Sequence, residues 1–386
     1  MPDIVIIGGG ITGTAAALEL ASEGHAVMLL EKHGIAAMAS GWTLGGVRQS
    51  GRDPAELPLA SAAVAIWPTL NDRLGSDIEY RQHGNLRLAR DENEVETIRE
   101  LVERQRRQGL ELHLLASNAD VRAVSPALSD HVLAASFCPS DGHANPILAT
   151  RAFAEAARRQ GVVIREDVEA HAIRVRKHRV AGVETSEGFV PAAAVVVAAG
   201  ANTRELIAPL GLDLPLTVTV VDVLQTEPLP ATLPQVFGVA NADCAGRQEV
   251  DGRLRVTSGS RPWAGNLTNW SEEALKPSTA ALAHLTHLVG HVLPVLNRAP
   301  VHRVWGGLID LTPDALPVLD APSAVGGLVV AAGFSGHGFC LGPISGKLIA
   351  DLALGRPARI DLAPFRLDRF AAGAPRAHDA PLTLHG

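Results

Sequence analysis

The residues best placed for chemistry are small and lie near the start of the chain: Gly8, Gly10 and Gly13 within Gly8-Gly9-Gly10-Ile11-Thr12-Gly13, followed by Glu31. Glycines at this spacing allow a tight turn at Gly8, close approach of backbone to a pyrophosphate at Gly10, and helix–sheet packing at Gly13. A helix starting at Ile11 and Thr12 turns free N–H groups and the positive end of its dipole toward phosphates. Glu31, 21 residues beyond Gly10, is placed to accept hydrogen bonds from ribose hydroxyls, which favours a dinucleotide without a 2′-phosphate there. A bare glycine-rich turn is the alternative reading. A strand before the motif, a helix after it and an acid at the right distance argue against that.

The elements that must position these residues form a βαβ unit: a strand over 4–7, a helix over 11–23 and a second strand ending at Glu31. Helical patterning returns over 60–74 and over 92–108, the latter charged enough to present a solvated face. Between them, 79–89 alternates around a Gly84-Asn85 turn and reads as strands. An amphipathic helix is expected over 147–160, then short strands over 162–165, 172–175, 180–185 and 193–199. Residues 213–320 are richer in strands and turns, with one helix over 278–293. An apolar strand over 327–332 runs into Gly333-Phe334-Ser335-Gly336-His337-Gly338-Phe339-Cys340, and a helix is expected from Pro343, which suits a first-turn position, to Gly355.

The fold class read from this order is α/β with α+β: a Rossmann-like nucleotide domain interleaved with a mixed-sheet substrate domain. The segments 1–78, 144–212 and 322–386 are assigned to the first, and 79–143 and 213–321 to the second. Bulk properties fit. A chain of 386 residues exceeds one ordinary core, and 47% hydrophobic with 19% charged residues describes a globular protein. A net charge of −7 offers no basic face for nucleic acid. No apolar run is long enough to span a bilayer. Cys138, Cys244 and Cys340 are widely spaced and fit reduced thiols in a cytoplasmic protein, not a disulfide framework or a metal site. No signal peptide precedes the first strand, and the last dozen residues, rich in Ala, Pro and His, read as a frayed tail.

The amino-terminal GGGITG, Gly45-Gly46-Val47-Arg48-Gln49, Asp141-Gly142, Val197-Ala198-Ala199-Gly200, Thr312-Pro313-Asp314 and GFSGHGF together resemble the flavoprotein superfamily of D-amino-acid oxidase and sarcosine oxidase. The run GGVRQSGRDPAELPLA is most similar to the FAD-carrying β-type subunits of heteromeric amine dehydrogenases, among them sarcosine oxidase β, opine oxidase, hydroxyproline dehydrogenase and hydrogen cyanide synthase subunits. The resemblance implies FAD. It places the adenosine end on Gly8, Gly10, Ile11, Thr12, Gly13, Glu31 and Lys32, and the rest against Ser40, Gly45, Gly46, Val47, Val168, Ala199, Gly200, Gly307, Gly333, Gly336, His337, Gly338 and Phe339. It implies that Arg48 lies beside the flavin and that Arg52 holds a substrate carboxylate, as a guanidinium can do bidentately. A surface arginine paired with Asp53 or Glu56 is the alternative for Arg52. His337 joins Arg48 and Arg52 as a catalytic candidate.

The departures from the family pattern are equally informative. Ile309 stands where relatives place a carboxylate-binding arginine or a cage tyrosine, and Tyr80 is the only tyrosine in the chain. Gly307 replaces the cysteine that links flavin covalently, so FAD is expected to be noncovalent, and Cys340 replaces a carboxylate-binding lysine. The function expected is oxidation of the C–N bond of an amino acid or N-substituted amino acid, by hydride transfer to flavin N5, giving an imine. The alternative is a noncatalytic or electron-relaying FAD subunit whose partner subunits carry further redox centres. A nicotinamide dehydrogenase would leave GFSGHGF unexplained.

Overall fold

Successive residues of the first strand, Ile4–Ile7, enter two different cores. Ile4 and Ile6 pack beneath helices, whereas Val5 and Ile7 pack into the opposite layer. That is the period-two outcome of a pleated strand buried on both faces. The computed structural model describes residues 2–268 and 270–371, so the tail expected to fray lies outside the described residues.

The sheet holding this strand has six members, in the order Val318–Asp320, Leu328–Ala332, Ala194–Val197, Ile4–Ile7, Val27–Leu30 and Val163–Arg165. All neighbours are parallel except Val318–Asp320, an antiparallel edge drawn from the stretch assigned to the substrate side. One face carries helices Ile11–Ser22, Pro146–Arg159 and Gly338–Ala353. The other carries an antiparallel three-stranded sheet, Ala170–Arg176, Arg179–Thr185 and Gly188–Pro191. Helices Ile11–Ser22 and Gly338–Ala353 meet through glycines: a Cβ on Gly342 would lie 2.5 Å from Ile11, and one on Gly346 would lie 2.7 Å from Ala15.

A second, mixed sheet of eight strands runs Val301–Leu311, Thr217–Thr226, Leu254–Pro262, Cys244–Gln248, Val236–Val239, Asn85–Ala89, Ala134–Cys138, His113–Leu115. Helix Thr279–Val292 buries Leu285, Val289 and Val292 against Phe237, Leu254 and Val256 of this sheet. The charged helix, Glu92–Arg107, buries Ile98, Leu101 and Val102 and is capped by Asp91, whose carboxylate accepts the Glu94 N–H. A two-strand ladder, Gly46–Val47 with Gly142–His143, lies apart from both sheets.

Three elements differ from expectation. The helix over 60–74 is split into Leu57–Ile66, a 3-10 turn at Trp67–Thr69 and Leu70–Leu74, because Pro68 lacks the N–H that would continue the ladder. Within 79–89 only Asn85–Ala89 is a strand, entered through Gly84 at φ +88°. The last helix begins at Gly338, five residues before Pro343, so the proline is internal and not at the first turn. Its missing bond falls on the Phe339 carbonyl, near the helix start, where the loss is least disruptive. Among the described residues no helix is long and apolar enough to cross a membrane.

Candidate active site

A cavity of about 500 Å³ runs between the two sheets, within the usual range for small-molecule sites. One end is the glycine turn. Gly8 has φ +116°, and a Cβ on it would lie 2.2 Å from the Ala198 carbonyl oxygen. A Cβ on Gly13 would lie 2.0 Å from the Gly8 oxygen, which is why the helix can sit so close to the strand. Helix Ile11–Ser22 has no acidic residue in its first turn to offset its dipole, and Ser40 Oγ accepts the Ile11 N–H at 3.0 Å. Glu31 accepts N–H bonds from Gly9 (2.5 Å) and His33 (2.8 Å). Burial raises its carboxyl pKa against those donors. Gly9, not singled out from sequence, lets the Glu31 carboxylate close on its N–H, because a Cβ there would lie 2.9 Å from that carboxylate and the Glu31 side chain would have to shift.

Gly8, Gly10, Ile11, Thr12, Glu31, Lys32, Ser40, Val168, Ala199, Gly200, Gly307, Gly336, Gly338 and Phe339 all line this cavity. Lys32 is held at its edge by Glu169, 2.7 Å away. Gly13, Gly45, Gly46, Val47, Gly333 and His337 do not line it. Gly13 and Gly45 serve as close-packing points behind the wall, Gly45 at φ +82° against the Ala144 carbonyl. Gly333, at φ +66°, donates its N–H to Asp310 at 2.8 Å. Asp310 lines the cavity beside Ile309, and burial raises its pKa to about 6 despite the Gly333 donor. Trp42, Thr43 and Leu44 complete the wall. The Thr43 carbonyl accepts from Arg255 at 2.8 Å and the Leu44 carbonyl from Arg247, two buried arginines of the eight-stranded sheet that both pair with Glu249.

Arg48, Arg52 and His337 come together, but on a second, smaller cavity that shares Thr43, Leu44, Ala245, Gly336 and Phe339 with the first. The Arg48 guanidinium donates to the Ser50 carbonyl at 2.6 Å. The Arg48 carbonyl in turn accepts from Arg52 Nε and Nη2, both at 3.3 Å, and from Cys340 Sγ at 3.4 Å. Arg52 is buried, not a surface residue, and its Nη1 lies 3.9 Å from Glu56. Glu56 Oε1 accepts from His337 Nδ1 at 3.1 Å. Burial works against ionisation of Glu56, yet His337 and Arg52 outweigh it and hold the carboxyl below its ordinary pKa. Burial, helped by Arg52, lowers His337 to about 4, against the pull of Glu56. Burial, with Arg52 and Arg87, depresses Arg48 well below its ordinary value. Asp141 accepts from Gln49 N and from the Ser50 backbone and hydroxyl. Arg87, buried in strand Asn85–Ala89 and lowered to about 10 by burial and by Arg52, completes the cluster.

The sequence reading missed Arg87, Asp310, Arg247 and Arg255. The available signal was a charged residue inside an otherwise apolar strand, as at Leu86-Arg87-Leu88.

The DAO family, FAD dependent oxidoreductase, matches residues 3–352. The chain is 30% identical over 376 residues to glycine oxidase of Geobacillus kaustophilus (strain HTA426), covering 95% of this chain and 97% of that protein. It is 29% identical over 379 residues to sarcosine oxidase subunit beta of Rhizobium meliloti (strain 1021), covering 96% and 89% respectively. Its fold matches the crystal structure of L-proline dehydrogenase from P. horikoshii with a TM-score of 0.89 at 27% identity, covering 97% of this chain and 99% of that one.

Proposed function

We propose, for a chain that belongs to the DAO family of FAD-dependent oxidoreductases, oxidation of the C–N bond of an amino acid or N-substituted amino acid to an imine. The carrying observation is the single cavity that extends from Glu31 and the Gly8–Gly10 turn to Gly307, Ile309 and Asp310 on strand Val301–Leu311. The glycine turn, where a Cβ would strike backbone, and the uncompensated helix N-terminus fit the diphosphate of FAD. Glu31 fits its ribose, and the wall from Ser40 to Leu44 with Ala199, Gly200, Gly338 and Phe339 fits its length. When bound, FAD would supply a two-electron acceptor for the hydride on the carbon that bears the amine, while the proton lost from nitrogen leaves to bulk solvent.

The chain's own part is to place that carbon and to exclude water. Val221, Val223, Leu308 and Ile309 give the interface end of the cavity an apolar wall. Arg48 and Arg52 set positive charge behind Gly336 and Phe339, which favours a substrate carrying a carboxylate. A second reading, an FAD subunit that relays electrons to partner subunits, is favoured by the uncharged Ile309 and by the turning of Arg52 toward Glu56 and backbone.

Both readings are tested by the visible spectrum of the FAD-loaded protein under anaerobic addition of D-, L-, cyclic and N-substituted amino acids. Bleaching of the flavin band by one of them is the expected result. A stable yellow protein that no amine bleaches would transfer the assignment to the relay reading.

A further inference from the structure

The wall of the larger cavity carries one ionisable group that the reaction proposed above leaves unused. Asp310 stands between Ile309 and Leu311 on strand Val301–Leu311, and all three line the cavity. Val221, Val223 and Leu308 line it too, so the carboxyl has apolar neighbours. Its Oδ2 accepts the Gly333 N–H at 2.8 Å, whereas Oδ1 accepts no hydrogen bond from another residue among the described residues. Burial raises its pKa to about 6 and backbone N–H groups pull the other way, while no charged side chain acts on it. A carboxylate withdrawn from water without a cation is costly, and a neutral oxygen would serve the Gly333 N–H as well. An isolated carboxyl of this kind on a cavity wall points to a functional partner.

The charge along the wall sets the sign of that partner. The charged side chains on it are Glu31, Lys32, Glu169, Glu205 and Asp310, and Lys32 is held by Glu169 at 2.7 Å. His33 and His171 are the remaining side chains there that can gain a proton near neutrality. No arginine among the described residues lines this cavity. An anion would meet a wall of its own sign, whereas a cation at the Asp310 end gains a charge-assisted hydrogen bond among apolar residues, where such a bond is strong. In an amine oxidised at the carbon beside nitrogen, the group that arrives charged at neutral pH is the nitrogen itself.

We propose that Asp310 recognises the nitrogen of the substrate as its ammonium, so that the larger cavity selects alkylammonium compounds over neutral or anionic molecules of the same shape. The cation site rests on the cavity itself. Only its assignment to the substrate nitrogen rests on the function proposed above.

The probe is tert-butylammonium, which cannot be oxidised because the carbon bearing its nitrogen has no hydrogen. Isothermal titration of the FAD-loaded protein at pH 8 is expected to show saturable binding of this cation, about tenfold or more tighter than that of tert-butyl alcohol, with pivalate weaker still. Asp310→Asn keeps an oxygen for the Gly333 N–H and removes the charge, so it should load FAD and bind the probe about tenfold or more weakly. The wild type gives the same information without a substitution. With the carboxyl near 6, affinity for the probe, itself cationic throughout, should fall about tenfold from pH 8 to pH 5. Equal affinity for the ammonium and the alcohol, wild-type affinity in Asp310→Asn, or an affinity that does not change with pH would overturn the proposal. Binding that depends on Asp310 in a protein that no amine bleaches keeps the cation site and removes the proposed reaction. Bleaching by an amine whose KM is unchanged in Asp310→Asn keeps the reaction and removes the ammonium site.

Discussion

Glu56→Gln is the sharpest perturbation of the buried charge cluster. Glu56 is fully buried, 3.0 Å from His337 Nδ1 and 3.9 Å from Arg52 Nη1. Glutamine keeps the volume and can still accept the imidazole N–H, so no cavity opens and the change is electrostatic. It removes a carboxylate that acts on Arg52 and Arg48, while Asp141 still acts on Arg48 and Arg87. Removing one partner from a buried ionic group costs about 3–5 kcal/mol, and the retained hydrogen bond puts the expected loss near the lower end. That is a large part of a total stability of about 5–15 kcal/mol. The assay is urea unfolding of cofactor-free protein at pH 7, followed by circular dichroism, for Glu56→Gln, Arg52→Met and the double variant. The double variant should recover stability relative to the sum of the single losses, with a coupling of about 1–3 kcal/mol. A loss under about 1 kcal/mol in Glu56→Gln, or strict additivity, would refute the idea that Glu56 neutralises the arginines.

Two further outcomes follow from the geometry. Gly13→Ala puts a Cβ where the Gly8 oxygen stands 2.0 Å away, so helix and turn must separate. The variant should lose its flavin absorbance on desalting, and wild-type FAD content would count against the tight turn as the cofactor cradle. The pH dependence of stability has a definite sign at His337. Its folded pKa is depressed from 6.5 to about 4, so in that window the unfolded ring binds a proton that the folded ring does not. Stability is therefore full above pH 6.5 and falls as the pH drops toward 4, by about 3 kcal/mol at about 1.4 kcal/mol per pH unit. Glu56, held below its ordinary pKa, stays ionised through most of that window. His337→Asn should flatten the profile, and an unchanged acid slope in that variant would contradict the assignment.

Local chemistry was legible in the sequence; distant chemistry was not. The turn at Gly8, the helix from Ile11 and the acid at Glu31 are close in the chain, and the structure sets them around one cavity. Pro68 and Pro343 were misjudged in opposite directions: one breaks a helix read as continuous, the other sits inside a helix it was expected to begin. Arg87 was missed for a different reason. Arginine in a short strand normally marks a solvent face, and only the neighbouring strand Val236–Val239, with Gly238 opposite Arg87, turns that face inward. Glu56 appeared only as a possible surface partner of Arg52, since nothing local tells a buried ion pair from an exposed one. Asp310 was hidden inside an aligned motif whose neighbour Ile309 drew the attention.

The fastening of Thr43 and Leu44 bears on how long the protein keeps its cofactor. These residues form part of the wall of the larger cavity, and their carbonyls are gripped from the far sheet by Arg255 and Arg247, themselves anchored on Glu249. For the wall to swing aside, these charge-assisted bonds among buried groups must break together. With FAD against this wall, its escape is expected to be limited by a barrier more than by equilibrium affinity. The residence time of FAD should be long on the scale of a purification, and emptying the site should need denaturant or chaotrope, whereas dilution alone should leave it filled.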